Sequence, residues 1–265
     1  MSKLDFITTI EARMTSTRLP GKVLRKFRSS NPIYDGLSCL EILIDRIKSS
    51  SFISDIVIAT SNNSTDDVIE NFCVQNNINY YRGSELDVLD RLAGAIKHQV
   101  NKHVIQLTGD NPFIDPEVID YVVRFYEKEY PKYDFVTNNG LMNLSDHEIP
   151  IGMDVSVFSA KNLINNSRIA KNKAFREHPN LFFYKNSQQK FNCLNVPIPG
   201  IWKRKNKVRL TFDTEKDYLF LQNIYDHFSK DTNKFNLKEI LEYIDMNVDI
   251  LKLNSDINQK IPSIK

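Results

Sequence analysis

Three cations, Arg13, Arg18 and Lys22, stand within ten residues near the start of the chain, together with three hydroxyls and a Pro-Gly turn. The apolar, β-branched run 6–10 comes just before them and predicts a buried strand. Ligands of open α/β sheets bind at the carboxyl ends of strands, where this loop would lie. Arginine and lysine on one loop can hold several phosphate oxygens, and arginine adds a planar, bidentate contact. The loop is therefore a candidate phosphate-binding site, and a solvated basic turn is the alternative.

Two aspartates are candidate metal ligands. Asp110 follows the buried run 104–107 and Gly109, which lets a backbone approach a ligand closely. Magnesium bound to a nucleotide usually takes one or two protein carboxylates besides phosphate oxygens and water. A turn or cap aspartate is the alternative for Asp110. Asp213 follows a second predicted strand, and there the alternative of a helix cap is stronger.

Strand and helix signals alternate through the first half of the chain and return near its end. Strands are predicted over 6–10, 55–60, 79–81, 104–107 and 208–212. Helices are predicted over 40–48, 65–76 and 87–99, from 115 onward, and around 218–228 and 237–244. This alternation predicts an α/β fold, a mainly parallel open sheet flanked by helices.

The sequence predicts one domain, 1–265, with a less regular segment of about 139–206. That segment is rich in Asn, Lys and aromatic residues, which suits an inserted acceptor-binding subdomain or a dimer arm. The last dozen residues, ending with 259–265, are predicted to form a polar tail.

Bulk properties narrow the class of protein. A formal charge of +2 is too small to argue for a nucleic-acid surface. Three widely spaced cysteines without a C-x-x-C pair favour reduced thiols. No apolar run approaches the roughly 18 residues that span a bilayer, and the start does not resemble a signal peptide. We therefore expect a cytoplasmic protein without membrane or nucleic-acid partners.

The loop motif A-R-x-x-S-x-R-L-P-G-K after an apolar strand resembles the opening of the cytidylyltransferase-like nucleotidyltransferases. That family includes the enzymes that activate Kdo and sialic acid as CMP-sugars and the spore-coat polysaccharide nucleotidyltransferases. Further matches follow in order: ATSN (59–62), RGSELDVLDR (82–91), LTGDNPFIDPEVID (107–120), GMDVSVFS (152–159) and RLTFDTEKD (209–217). The resemblance covers roughly residues 4–228 and implies a nucleotide-diphospho-sugar transferase-like (glycosyltransferase A type) fold.

The resemblance also implies roles for individual residues. Arg18, Lys22 and Asp110 would be catalytic, and Asp110 and Asp213 would hold Mg²⁺. The residues implied to bind the nucleotide are Ala12, Arg13, Arg18, Lys22, Ser61, Asn62, Gly83, Ser84, Thr108 and Gly109. Asp154 and His178 would contact the acceptor; an ordinary strand acid and a structural histidine are the alternatives.

The activity that this resemblance implies is Mg-dependent nucleotidyl transfer from CTP to a sugar or sugar-like acceptor. Pyrophosphate would leave, and the product would serve cell-surface polysaccharide synthesis. The enzyme would be a homodimer. One alternative is the same fold using GTP, ATP or UTP on a sugar phosphate. Another is a catalytically silent nucleotide-binding homologue with a regulatory or scaffolding role.

The chain departs from the family pattern in the first loop, after the R-E-H segment and in 213–217, where the family often has D-T-P-E-D and this chain has Lys216 before Asp217 and no proline. Thr15 stands where glycine is common, Glu11 where glutamine is common, and Pro179-Asn180 where V-T usually continues the R-E-H segment. A glycine lost beside the phosphates narrows the available backbone angles, and Glu11 adds a negative charge there.

Overall fold

A seven-stranded sheet organises the computed structural model, which describes residues 4–143, 146–185, 190–204 and 208–259. The strands are β1 (Phe6–Glu11), β2 (Ile56–Ser61), β3 (Asn79–Gly83), β4 (His103–Thr108), β5 (Phe135–Thr137), β6 (Ser156–Ser159) and β7 (Cys193–Asn195). Their order across the sheet is β3-β2-β1-β4-β6-β5-β7. All neighbours are parallel except β6, which runs antiparallel to β4 and β5. The predicted mainly parallel sheet is confirmed.

Helices cover both faces of this sheet. They are α1 (Cys39–Ile47), α2 (Asp67–Gln75), α3 (Val88–Ala95), α4 (Pro116–Glu129), α5 (Ala160–Ile169), α6 (Lys173–Glu177), α7 (Asn180–Lys185), α8 (Glu215–Phe228) and α9 (Leu237–Met246). Successive strand side chains point to opposite faces, so Ile10 packs with α1, α4, α8 and α9, whereas Ile7 packs with α3, α5 and α7. Two apolar clusters result, one on each side of the sheet.

Local signals explain where several helices begin. The Ser38 hydroxyl and the Glu41 carboxylate form a capping box at α1. Asp115 accepts a hydrogen bond from the Glu117 amide at the start of α4, where proline occupies the first turn. The helix start predicted at 115 is therefore confirmed, and the cap lies in the loop that leaves the end of β4.

The strand predicted over 208–212 is wrong. Only Arg209 forms a single bridge, to Ile151. The backbone of this segment bonds to loops instead: the Ile151 amide donates to the Val208 carbonyl at 3.1 Å, and the Phe212 amide donates to the Asp110 carbonyl at 2.7 Å. An extended segment satisfied in this way needs no neighbouring strand. The hydrogen bond between the Phe212 amide and the Asp110 carbonyl brings Asp213 next to Asp110.

Segment 139–206 supplies β6 and β7 to the main sheet and α5–α7 to one of its faces. Its residues 144–145, 186–189 and 205–206 lie outside the described ranges. Whether this segment acts as a separate subdomain or dimer arm stays a prediction, as does the single domain 1–265.

The structure describes residues 254–259 of the predicted polar tail, and both ends of this stretch contact Arg209. Asn254 is buried, and its side-chain amide donates to the Arg209 carbonyl at 3.2 Å. Gln259 reaches back to accept a hydrogen bond from the Arg209 guanidinium at 2.5 Å. Residues 260–265 lie outside the described ranges.

All three cysteines lie in the described ranges, and each is a free thiol, as predicted. Burial raises the pKa of Cys73 and of Cys193 to about 12. Within the described residues, no helix combines the length and the apolar character needed to cross a bilayer.

Candidate active site

A cleft of about 910 Å³ opens at the carboxyl ends of β1 and β4, where an α/β sheet of this kind places its ligand. Nine of the site residues predicted from the sequence line it: Ala12, Arg13, Arg18, Lys22, Thr108, Asp110, Asp154, His178 and Asp213. Gly109 lies directly behind the cleft. A Cβ there would stand 2.8 Å from the Glu11 carbonyl, so only glycine lets the ends of β1 and β4 come this close.

Lys22 joins the two predicted metal ligands. Its Nζ lies 2.5 Å from Asp110 Oδ2 and 2.8 Å from Asp213 Oδ1. Arg18 reaches the same Asp213 oxygen at 2.8 Å, and Arg209 reaches the other oxygen at 3.3 Å. We call Asp110 and Asp213 the acid pair.

Asp213 and Lys22 both stay ionised in this cluster. Burial alone would raise the pKa of Asp213, but Lys22, Arg18 and Arg209 outweigh it and hold that pKa below its usual value. Burial likewise opposes the charge of Lys22, yet the acid pair raises the pKa of its ammonium. The bottom of the cleft therefore combines fixed negative and positive charges at hydrogen-bond distance.

The acid pair has the donor chemistry that Mg²⁺ prefers. One oxygen of Asp110 accepts a hydrogen bond from the Thr108 hydroxyl at 2.8 Å, and its other oxygen converges with Asp213 Oδ1 on one cationic group. No group of three or more His, Cys, Asp or Glu suited to a metal exists among the described residues. Two carboxylates suffice, however, when phosphates and water complete the coordination.

Two acids position the cationic loop, and sequence reasoning missed both. Asp66 is buried and accepts hydrogen bonds from the Met14 amide at 2.8 Å, the Thr60 hydroxyl and the Ser61 amide. Burial would raise the pKa of Asp66, but these bonds hold it below its usual value. Asp66 lies at the start of the helix predicted over 65–76, but its side chain makes no cap bond to α2.

Glu85 is the second of these acids. Its carboxylate accepts hydrogen bonds from Arg13 at 3.1 Å and from the side chains of Thr15 and Asn63. The loops after β1, β2 and β3 thus meet at one carboxylate. A hydroxyl at position 15 provides one of these contacts, which a glycine could not.

The departures from the family pattern are accommodated. Among the described residues other than glycine, only Asn77 and Leu141 have positive φ, so the backbone at Thr15 is not in the left-handed region. Glu11 lines the cleft and accepts a hydrogen bond from the Gln106 side chain. Burial raises the pKa of Glu11, against the charges of Arg91 and Arg13 and the hydrogen bond from Gln106. Asn180 donates to the Ser156 hydroxyl at 3.3 Å.

Five residues predicted to bind the nucleotide do not line the cleft: Ser61, Asn62, Gly83, Ser84 and Gly109. The Ser61 hydroxyl is buried and accepts from the Asn63 amide, and the Asn62 amide donates to the Gly83 carbonyl. These contacts tie the ends of β2 and β3 together. The neighbouring start of α3 faces the cleft instead, through Glu85, Leu86, Asp87, Val88 and Arg91. The nucleotide contacts of the five residues outside the cleft lining stay predictions.

Asp154 and His178 lie in the cleft lining that α6 and the segment before β6 provide. Asp154 Oδ1 is 2.8 Å from Nε2 of His147, which is buried behind it. Burial would lower the pKa of His147, but the charge and hydrogen bond of Asp154 outweigh burial and raise it. Burial lowers the pKa of His178, against the nearby charge of Glu177.

The His147–Asp154 pair gives a pH-dependent prediction. Because the pKa of His147 is higher in the folded chain than in the unfolded one, its stabilisation is complete below pH about 6.5 and disappears as the pH rises through the folded value. We expect His147→Gln to lower the melting temperature more at pH 5.5 than at pH 8.5. His98→Gln, on an exposed side chain, is the control. An equal loss at both pH values would contradict this assignment.

Arg209, like His147, is a residue that the sequence did not single out. It is buried, and its guanidinium contacts Asp213 and Asp217, both at 3.3 Å. The segment R-L-T-F-D offered a signal, since an arginine four residues before a buried acid in an extended stretch needs a carboxylate partner.

Comparisons with known proteins identify the family of the chain. The sequence profile of the cytidylyltransferase family matches residues 7–255. The spore coat polysaccharide biosynthesis protein SpsF of Bacillus subtilis is 35% identical over 226 residues, 83% of this chain and 86% of SpsF. An uncharacterized protein of Methanocaldococcus jannaschii is 33% identical over 258 residues, 97% of each chain.

A solved structure extends this likeness to the fold. The cytidylyltransferase from Leptospira borgpetersenii superimposes with a TM-score of 0.82 at 27% identity, covering 97% of this chain and 100% of that one. With the family profile matching most of the sequence, the chain belongs to the cytidylyltransferase family of nucleotidyltransferases.

Proposed function

We propose that this chain transfers CMP from CTP to a sugar or sugar-like acceptor, with Mg²⁺ and with release of pyrophosphate, for a cell-surface polysaccharide. One observation carries the proposal: the acid pair and the cations Arg18 and Lys22 meet at the carboxyl ends of β1 and β4 in a chain of the cytidylyltransferase family. The name of the relative SpsF supports the link to a surface polysaccharide.

The chemistry asks the protein mainly to position groups and to stabilise charge. An acceptor oxygen attacks the α-phosphorus of CTP, a new P–O bond forms, and the bond to pyrophosphate breaks. Negative charge builds on the leaving phosphates during the reaction. The cations at the carboxyl end of β1, Arg13, Arg18 and Lys22, therefore stabilise the transition state more than the ground state. Mg²⁺ held by the acid pair would neutralise phosphate charge and align the attacking and leaving oxygens.

The acceptor side is served by different residues. Asp154 faces the cleft and is oriented by the buried His147, and His178 lies in the same lining. We propose that these side chains contact the acceptor. A carboxylate held in one orientation can accept a hydrogen bond from an acceptor hydroxyl, which helps to direct its oxygen toward the phosphorus.

The nucleotide is tested before the acceptor is known. We expect CTP with Mg²⁺ to raise the melting temperature more than GTP, ATP or UTP with Mg²⁺ does. A ligand at a hundredfold excess over its Kd stabilises the fold by about 2.7 kcal/mol, which a thermal melt resolves readily. Equal shifts with all four nucleotides, or none with CTP, would contradict the choice of cytidine.

A pyrophosphate-release assay then separates an enzyme from a silent binder. The protein, Mg²⁺ and each of the four nucleotides are incubated with a panel of sugars, sugar acids and sugar phosphates. Release that depends on one acceptor and on CTP identifies the substrate pair. A sugar phosphate used with GTP, ATP or UTP would support the alternative nucleotide, and binding without any release would support the silent homologue.

We also propose that the protein is a cytoplasmic homodimer. Light scattering coupled to size-exclusion chromatography tests the dimer directly, since the measured mass of a dimer would be twice that of the 30.8 kDa chain. A monomer across the concentrations used for the assay would contradict it. Fractionation of the source cells tests the location.

A further inference from the structure

Lys22 makes contacts that a phosphate-binding lysine does not need. Its ammonium lies between the acid pair, 2.5 Å from Asp110 Oδ2 and 2.8 Å from Asp213 Oδ1, and its side chain is 10% exposed. Two carboxylate oxygens from distant parts of the chain therefore converge on one positive group. That is the charge arrangement expected of a divalent cation held by two carboxylates.

The backbone of Lys22 is fixed, whereas its ammonium can move. Gly21, with φ of 76°, ends the cationic loop, and its amide donates to the Met14 carbonyl at 2.8 Å. Lys22 then begins the short 3-10 helix Lys22–Leu24. The flexible four-carbon stem of lysine lets its ammonium change partners without moving the backbone.

We propose that Lys22 takes the place of the divalent cation in the nucleotide-free protein, and that a triphosphate draws its ammonium off the acid pair. This inference rests on the proposed function and adds a regulation of the same site. The metal alone then binds weakly, because it must displace an ammonium from both carboxylates. Bound phosphates offer that ammonium other anionic partners, which frees the acid pair. The protein therefore acquires its metal with the nucleotide and not before it.

Neighbouring cations do not take over this role. Arg209 engages the oxygen of Asp213 that does not face Lys22. Arg18 contacts Asp213 but makes no hydrogen bond or ion pair with Asp110 in the described residues. Of the cations in this cluster, Lys22 therefore determines whether both acids are available together.

The experiment measures Mn²⁺ binding to the nucleotide-free protein by the electron paramagnetic resonance signal of free Mn²⁺. Lys22→Met removes the charge and keeps the length of the side chain. We expect it to bind Mn²⁺ at least roughly tenfold more tightly than wild type, the scale of one charge-assisted hydrogen bond. Lys26→Met, an equal charge change on an exposed lysine of the same segment, is expected to bind as wild type does.

Two further variants make the result decisive. Lys22→Gln serves if Lys22→Met does not fold, since it keeps a hydrogen-bond donor without the charge. Asp110→Asn combined with Lys22→Met is expected to lose the gained affinity, which places the metal on the acid pair. Unchanged or weaker Mn²⁺ binding in a folded Lys22 variant would overturn the inference. Wild-type pyrophosphate release with CTP would leave the proposed function standing in that case, so the two failures are distinguishable.

Discussion

Asp110→Asn is expected to lower kcat for pyrophosphate release on the order of a hundredfold or more, while the melting temperature changes little. The substitution keeps the shape of the side chain and removes one charge from the acid pair. Hard cations prefer carboxylate oxygens, so the metal would bind less well and the charge of the leaving phosphates would be poorly neutralised. Nucleotide binding is expected to survive in part, because Arg18 and Lys22 remain.

The measurement is pyrophosphate release against Mg²⁺ concentration, with melting temperatures alongside. Asp90→Asn, on an exposed side chain of α3, is the control for loss of one carboxylate charge. Asp213→Asn is expected to lower activity and stability together, because it leaves Arg18, Lys22 and Arg209 without their shared partner. Full turnover by Asp110→Asn, or wild-type activity in excess EDTA, would contradict the metal mechanism.

Gly152→Ala is expected to cause the largest loss of stability among single substitutions at the cleft. Gly152 has φ of 100°, and a Cβ there would stand 2.6 Å from the Leu210 carbonyl carbon and 2.7 Å from the Thr211 amide nitrogen. Backbone atoms cannot rotate away as a side chain can. The positive φ and the clash together cost about 2–5 kcal/mol, or a drop of roughly 5–15 °C in melting temperature.

Gly36→Ala is the matched control for this effect. Gly36 also has a positive φ, 76°, but no atom lies within 4 Å of the added Cβ. The difference between the two melting temperatures therefore isolates the clash from the backbone strain. Since Gly152 presses on the segment that leads to Asp213, its variant is also expected to lose activity below its melting temperature. Equal losses of stability in both variants would contradict this account.

The parallel half of the fold was predictable from local signals. Buried strands such as β1 and β4 are rich in apolar and β-branched residues, and the Asp-Pro pair at the start of α4 marks a helix start in the sequence itself. The three-residue strands β5 and β7 carry no usable periodicity. The run 208–212 has the apolar pattern of a strand, but loop contacts satisfy its backbone, and those contacts depend on distant residues.

The candidate site divides in the same way. Sequence motifs predicted that Lys22, Asp110 and Asp213 belong to one site, and the cleft contains all three. They did not predict that these residues pair with one another, because Lys22 and Asp213 are 191 positions apart. Glu85 and Asp66 were missed for a related reason, since an acid that holds a loop looks like any surface or cap acid until the loop is folded against it.

One detail of the acid pair bears on which cations this protein would accept. Thr108 occupies one oxygen of Asp110 and Arg209 occupies one oxygen of Asp213, so each carboxylate turns a single oxygen toward Lys22. These two oxygens, of which Arg18 also contacts the one on Asp213, are what the acid pair would offer to a cation. Calcium favours six to eight oxygens and often takes both oxygens of a carboxylate, whereas the smaller magnesium ion accepts two such ligands and fills an octahedron with phosphate and water. By engaging the other oxygen of each acid, the hydroxyl of Thr108 and the guanidinium of Arg209 would therefore favour magnesium over calcium, without either group touching the ion.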